Sequence, residues 1–120
     1  MFTIQQASQL IEIPASSIRY YEKINLIPRI KRNAQTHRVF DEQDIELLKL
    51  IKCFRNLGMS IESIRENIST LHAKNEEINT QVILIQHKKK LEEQIEVLNS
   101  FIREIDGKII KHPNKKLVTT

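Results

Sequence analysis

The side chains best suited to chemistry in this 120-residue chain are cations gathered into one stretch. Between Pro14 and Phe40 stand Arg19, Lys23, Arg29, Lys31, Arg32 and Arg38. Glu22 is the only acid among these six cations, so the stretch carries +5 while the whole chain carries +4. Ser16, Ser17, Tyr20 and Tyr21 lie in the same segment. Guanidinium, ammonium and hydroxyl donors packed this closely suit a polyanion, because each phosphate they neutralise releases a condensed counterion. Two outward tyrosines beside an arginine have no stability rationale on a surface helix, whereas phosphates use both hydroxyl and guanidinium.

Other chemistries find little support. With 2 glycines there is no glycine-rich phosphate loop, and no paired carboxylates or nucleophile–base pair are spaced for catalysis. The four histidines, His37, His72, His87 and His112, are at least 15 residues apart, so none shares a helical face with another. The expectation is therefore no enzyme, no cofactor and no metal. Cys53 is the sole cysteine, which excludes an internal disulfide. With Leu50 and Leu57 at i−3 and i+4 it borders an apolar face and reads as a small core residue. Lys49, Lys52 and Arg55 nearby would favour a thiolate if the sulfur is accessible.

These residues must be positioned by helices. Scarce glycine, absent tryptophan and abundant glutamate, lysine, leucine and isoleucine predict a mainly α fold. Thr3 and Gln6 form a capping-box pattern opening a first helix, whose buried face is expected to be Ile4, Ala7, Leu10 and Ile11. Pro14 suits the first turn of a second helix, in which Ile18 faces a core with Ile24 and Leu26 and the polar residues face out. From Arg29 to Phe40 a polar Arg32–Thr36 tip between short stretches predicts a β-hairpin wing, without an Asn-Gly or Asp-Gly turn. Asp41 caps a third helix with Ile45, Leu48, Ile51 and Phe54 inward and Gly58 as its stop. Ser60 opens a fourth, with Ile61, Ile64, Ile68 and Leu71 on one stripe.

Farther on, Leu91, Ile95, Leu98, Ile102, Ile105 and Ile109 alternate steps of four and three, a heptad seam. Extended backwards it meets Leu84 but also Lys88 and Gln81, so its first heptads are weaker. A rod of about 45 Å is too long for this chain to cover. A second copy is the simplest partner, in either direction. The expected division is a DNA-binding domain over 1–72, a coiled-coil dimerisation helix over 76–111 and a flexible tail over 112–120. No basic-then-apolar signal peptide and no apolar run near membrane-spanning length are present, which points to a cytoplasmic protein without a membrane partner.

Thr3-Ile4-Gln5-Gln6-Ala7, then Ile18-Arg19-Tyr20-Tyr21-Glu22 and Leu26-Ile27-Pro28, resemble the opening signature of the MerR family of transcription regulators. Arg32, His37-Arg38-Val39-Phe40, Asp41-Glu42 and Leu57-Gly58-Met59-Ser60-Ile61 continue the resemblance in order. The family often has glycine in the helix-turn-helix turn and Gly-Tyr-Arg in the wing; here Glu12 and Thr36-His37-Arg38 stand in those places.

The resemblance implies a winged helix-turn-helix homodimer on a palindromic operator in double-stranded promoter DNA, with second helices in successive major grooves. It implies that Arg19, Tyr20 and Tyr21 hold phosphates, that Ser16 and Ser17 face base edges, and that Arg32 and Arg38 anchor the wing. Lys23 and His37 complete this DNA-binding set. It further implies that bending and untwisting an overlong promoter spacer realigns the DNA for RNA polymerase. The setting of Cys53 resembles a branch in which one cysteine of the third helix responds to aldehydes or other electrophiles. An architectural, excisionase-like DNA-bending protein is the alternative, which the long dimer helix disfavours.

Overall fold

The structure, a computed structural model, describes residues 1–73 and 79–111. Its elements run α1 (Ile4–Ile11), α2 (Ala15–Lys23), β1 (Lys31–Arg32), β2 (Arg38–Val39), α3 (Glu42–Asn56), α4 (Ile61–Ala73) and α5 (Thr80–Lys111). The chain divides into two units, Met1–Ile78 and Asn79–Thr120.

In the first unit the helices begin where capping chemistry places them. The Gln6 N–H donates to Thr3 Oγ1 at 3.1 Å and the Thr3 N–H to Gln6 Oε1 at 2.9 Å, closing the expected capping box. Asp41 and Asp44 make the same reciprocal pair at the start of α3, at 2.9 and 2.8 Å. Ser60 Oγ accepts the Ser63 N–H at the start of α4. Pro14 sits one position before α2, in extended backbone, rather than inside its first turn.

Helix α3 stops at Gly58, whose φ of 83° lets the Gly58 N–H reach Arg55 O and the Met59 N–H reach Phe54 O, both at 3.0 Å. Met59 is buried by this turn. The left-handed geometry is what glycine accepts without strain.

The core is apolar among the described residues, with Ile45, Leu48, Ile51 and Phe54 of α3 against Ala7, Ile11, Ile18 and Phe40 from α1, α2 and the end of the wing. Ile64 and Ile68 of α4 are buried as expected, while the Leu71 side chain lies outside those described. Several expected core members differ: Ile4, Ile24 and Ile61 are only half-buried, and Leu10 is 52% exposed. Successive helical residues are about 100° apart, so Leu10 lies a full step around the helix from Ile11, beyond what α2 and α3 cover.

The hairpin wing forms, with Lys31 opposite Val39 and Arg32 opposite Arg38. Its tip turns without an Asn-Gly pair. Asn33 Oδ1 accepts the Gln35 and His37 N–H groups at 3.0 Å, and the Asn33 N–H donates to His37 O at 2.9 Å, so the Asn33 side chain replaces backbone in closing the loop. Thr36 takes φ 66° and Glu12 φ 62°. Both positions where the resembling family often has glycine are thus left-handed here despite a side chain. A bridge unforeseen from sequence pairs Phe2 with Phe40 through N–H···O bonds of 2.8 and 2.7 Å, fastening the N-terminus beside the wing.

In the second unit, Asn79 caps α5 by accepting the Val82 N–H on Oδ1 at 3.2 Å, and the helix opens at Thr80; the expected boundary at 76 lies outside the described residues. It runs through Lys111; the expected tail, 112–120, lies outside the described residues. The seam residues stand uncovered in the single chain, from 38% exposed at Leu91 to 61% at Ile109. Val97 and Phe101, not counted in the seam, are exposed beside it.

A β-branched residue at positive φ costs roughly 1–2 kcal/mol that glycine avoids, offset in part by glycine's greater unfolded freedom. Thr36→Gly is therefore expected to stabilise the first unit by about 0.5–1 kcal/mol. Urea unfolding should show a higher midpoint at unchanged slope; a lower midpoint contradicts it.

Candidate nucleic-acid interface

Helix α2 is two-faced. Ile18 is fully buried, whereas Ser16, Arg19, Tyr20 and Lys23, spaced three and four apart, are exposed on the opposite side. Ser17 and Tyr21 are half-buried, so Tyr21 is less outward than its neighbour. The two tyrosine rings lie 6.4 Å apart, tilted by 54°. In the wing, His37 is exposed at the tip and Arg32 and Arg38 are half-buried.

What joins α2 to the wing is Glu22. It lies four residues after Ile18, on the inward side of the helix, and its side chain is 10% exposed. Oε1 accepts from Arg32 Nη2 at 3.0 Å and from Arg38 Nε at 2.9 Å. Oε2 accepts from the Ile30 N–H at 2.6 Å and from Arg32 Nη1 at 3.1 Å. Arg32 Nη1 also donates to the Ile30 carbonyl. Burial by itself would raise the Glu22 pKa, but the hydrogen bonds from Arg32, the Ile30 N–H and Arg38 outweigh it and bring the group down to about 2. The sequence alone shows Glu22 as the one acid of a basic stretch and the last residue of the Ile18–Glu22 motif, with no partner assigned to it. Its i+4 relation to the buried Ile18 was the signal that it points inward.

A second connection holds the turn between α1 and α2. Lys52 Nζ, on α3, donates to Ile11 O at 2.7 Å and Glu12 O at 3.3 Å, and lies 3.7 Å from the Glu12 carboxylate. An ammonium on the last carbonyls of α1 meets the negative end of that helix and helps hold Glu12 in its left-handed state.

Cys53 is exposed, so its reading as a small core residue is corrected. It falls on the flank of α3 that α1 leaves open, where Leu10, Ile11, Lys49, Lys52, Asn56 and Leu57 line a shallow groove of about 400 Å³. Of the nearby cations, Lys49 pairs with Glu46 at 3.6 Å and Arg55 donates to Met59 O at 2.8 Å. No group of three or more metal-ligating side chains occurs among the described residues, and no described helix is long and apolar enough to cross a membrane.

The profile of the MerR HTH family regulatory proteins matches residues 2–71, and that of the MerR DNA-binding region matches residues 45–108. The chain belongs to the MerR family. The HTH-type regulator AdhR of Bacillus subtilis is 43% identical over 63 residues, 52% of this chain and 45% of AdhR, so the match spans less than half of that relative. YyaN, another HTH-type regulator of Bacillus subtilis, is 31% identical over 108 residues, covering 90% of this chain and 78% of its own. Among solved structures, HiNmlR, a MerR family regulator lacking the sensor domain and bound to promoter DNA, is similar with a TM-score of 0.63 and 26% identity, over 91% of this chain and 83% of that one. As a MerR-family protein, this chain is a helical DNA-binding transcription regulator with a long C-terminal helix.

The lowered Glu22 pKa has a definite sign. A carboxylate at about 2 when folded and 4.5 when unfolded adds stability above about pH 4.5 and loses it as pH falls through about 2. Glu22→Gln is expected to cost on the order of 3 kcal/mol at neutral pH, with the gap to the wild type closing across that acid window. Thermal melts of both proteins against pH check this; a gap independent of pH contradicts it.

Proposed function

We propose that this MerR-family chain binds a palindromic operator in double-stranded promoter DNA as a homodimer. Ser16 and Ser17 face base edges; Arg19, Tyr20, Tyr21 and Lys23 hold phosphates; and the wing carrying Arg32, His37 and Arg38 lies on the flanking backbone. The observation that carries this reading is the exposed stripe Ser16, Arg19, Tyr20 and Lys23 on a helix otherwise anchored through Ile18 and Glu22. HiNmlR, at 26% identity, is bound to promoter DNA, which supports the partner. The exposed seam of α5, Leu91 to Ile109, supports a second copy as the cover, since an apolar stripe about 27 Å long is unfavourable in water by itself. Distortion of the promoter so that RNA polymerase can engage it completes the reading.

Selection from a random duplex pool should recover a two-fold symmetric sequence. Arg19→Ala is expected to weaken binding to it at least tenfold, about 1.4 kcal/mol. Ile102→Glu should convert the dimer to a monomer in sedimentation equilibrium and abolish operator binding at the same concentration. Recovery of an asymmetric site, or a dimer that survives Ile102→Glu, would overturn this reading.

The stimulus we propose is an electrophile or oxidant reacting at Cys53. Support comes from the exposure of the thiol and from its neighbour Lys52, which holds the turn leading into α2. Modifying the sulfur would disturb that hold as well as the seat of α3. Promoter transcription with and without methylglyoxal, formaldehyde or peroxide should respond in the wild type and not in Cys53→Ser. An equal response in both sinks the sensor role and leaves DNA binding untouched.

A further inference from the structure

Glu22 treats the two wing arginines differently. Arg32 presents the end of its guanidinium to the carboxylate, Nη1 to Oε2 at 3.1 Å and Nη2 to Oε1 at 3.0 Å, and Nη1 also serves the Ile30 carbonyl. That fork is consumed inside the protein. Arg38 meets the same carboxylate through Nε alone, at 2.9 Å, and its two terminal nitrogens have no partner among the described residues. A guanidinium is planar and rigid, so fixing Nε leaves the Nη1–Nη2 fork facing away from the carboxylate, with a geometry that fits two oxygens of one phosphate. Its side chain is 28% exposed, enough to be reached.

We propose that Glu22 is a positioning residue for DNA: it aims the free fork of Arg38 at a backbone phosphate from behind, while it holds Arg32 as an internal strut of the wing. This rests on the DNA-binding reading above and divides that reading's two wing anchors into one phosphate ligand and one brace. Bulk electrostatics predicts the opposite behaviour for Glu22, because removing an anion from a basic face should tighten binding to a polyanion. The two accounts differ in sign.

Binding of the full chain to the selected operator duplex, followed by fluorescence anisotropy across a series of KCl concentrations, separates them. Glu22→Gln is expected to weaken binding about tenfold although it deletes a negative charge. Arg38→Ala should lower the slope of log K against log salt by about 2 in the dimer, near 0.9 for each lost phosphate contact. In the Arg38→Ala background, Glu22→Gln should change affinity by less than about twofold, because its effect passes through Arg38. Glu22→Gln binding as tightly as the wild type or tighter, or a double variant losing the product of both effects, overturns the proposal.

Where Glu22→Gln does not fold, Arg32→Ala against Arg38→Ala decides. A slope loss for Arg38→Ala at least twice that for Arg32→Ala supports the division, and equal losses overturn it. Failure of the wild type to bind any selected duplex overturns the DNA-binding reading itself, whereas wild-type binding with an indifferent Glu22→Gln removes only this inference.

Discussion

One carboxylate links α2 to the wing, the two parts of the surface proposed to meet DNA. The wing has two strands of two residues each, far too little sheet to be stable by itself. Its position relative to α2 depends on Glu22 accepting from two wing arginines and from the Ile30 N–H that leads into β1. Such an arrangement satisfies a nearly buried charge with charge-assisted hydrogen bonds on both oxygens, the condition under which a buried ion pair holds geometry rather than merely costing desolvation. Helix α2 and the wing are thereby tied together through one side chain.

The turns on either side of α2 carry backbone that side chains normally avoid. Glu12, Asn25 and Thr36 all have positive φ. Each is held by surrounding bonds: Lys52 on the Ile11 and Glu12 carbonyls, the Leu26 and Ile27 N–H groups on Tyr21 O, and the Asn33 side chain on the wing tip. Strained residues persist where neighbours over-determine them. Here they set where α2 begins, how the chain leaves it, and how the wing returns.

The same economy places Cys53 next to the machinery. Because Lys52 reaches from α3 to the end of α1, the residue adjoining it in sequence sits one step from the turn that positions α2. The α5 unit poses a separate constraint. Its seam is apolar and solvent-exposed in one chain, which leaves an unfavourable stripe in water.

Local patterns carried much of this into the sequence. Capping residues Thr3, Asp41 and Ser60, the stop at Gly58, the buried stripe of α3 and the heptads from Leu91 to Ile109 all depend on neighbours three or four residues away, and helical periodicity reports those. Tertiary structure alone decided the rest. Arg32 and Arg38 are 10 and 16 residues from Glu22, Phe2 pairs with Phe40 across the whole helix-turn-helix, and Lys52 reaches back 41 residues to Ile11. The exposures of Leu10 and Cys53 depend likewise on where α1 ends its cover of α3. No period in the chain encodes which distant donor a carboxylate will meet, because that depends on how the packed helices bring the wing back over α2.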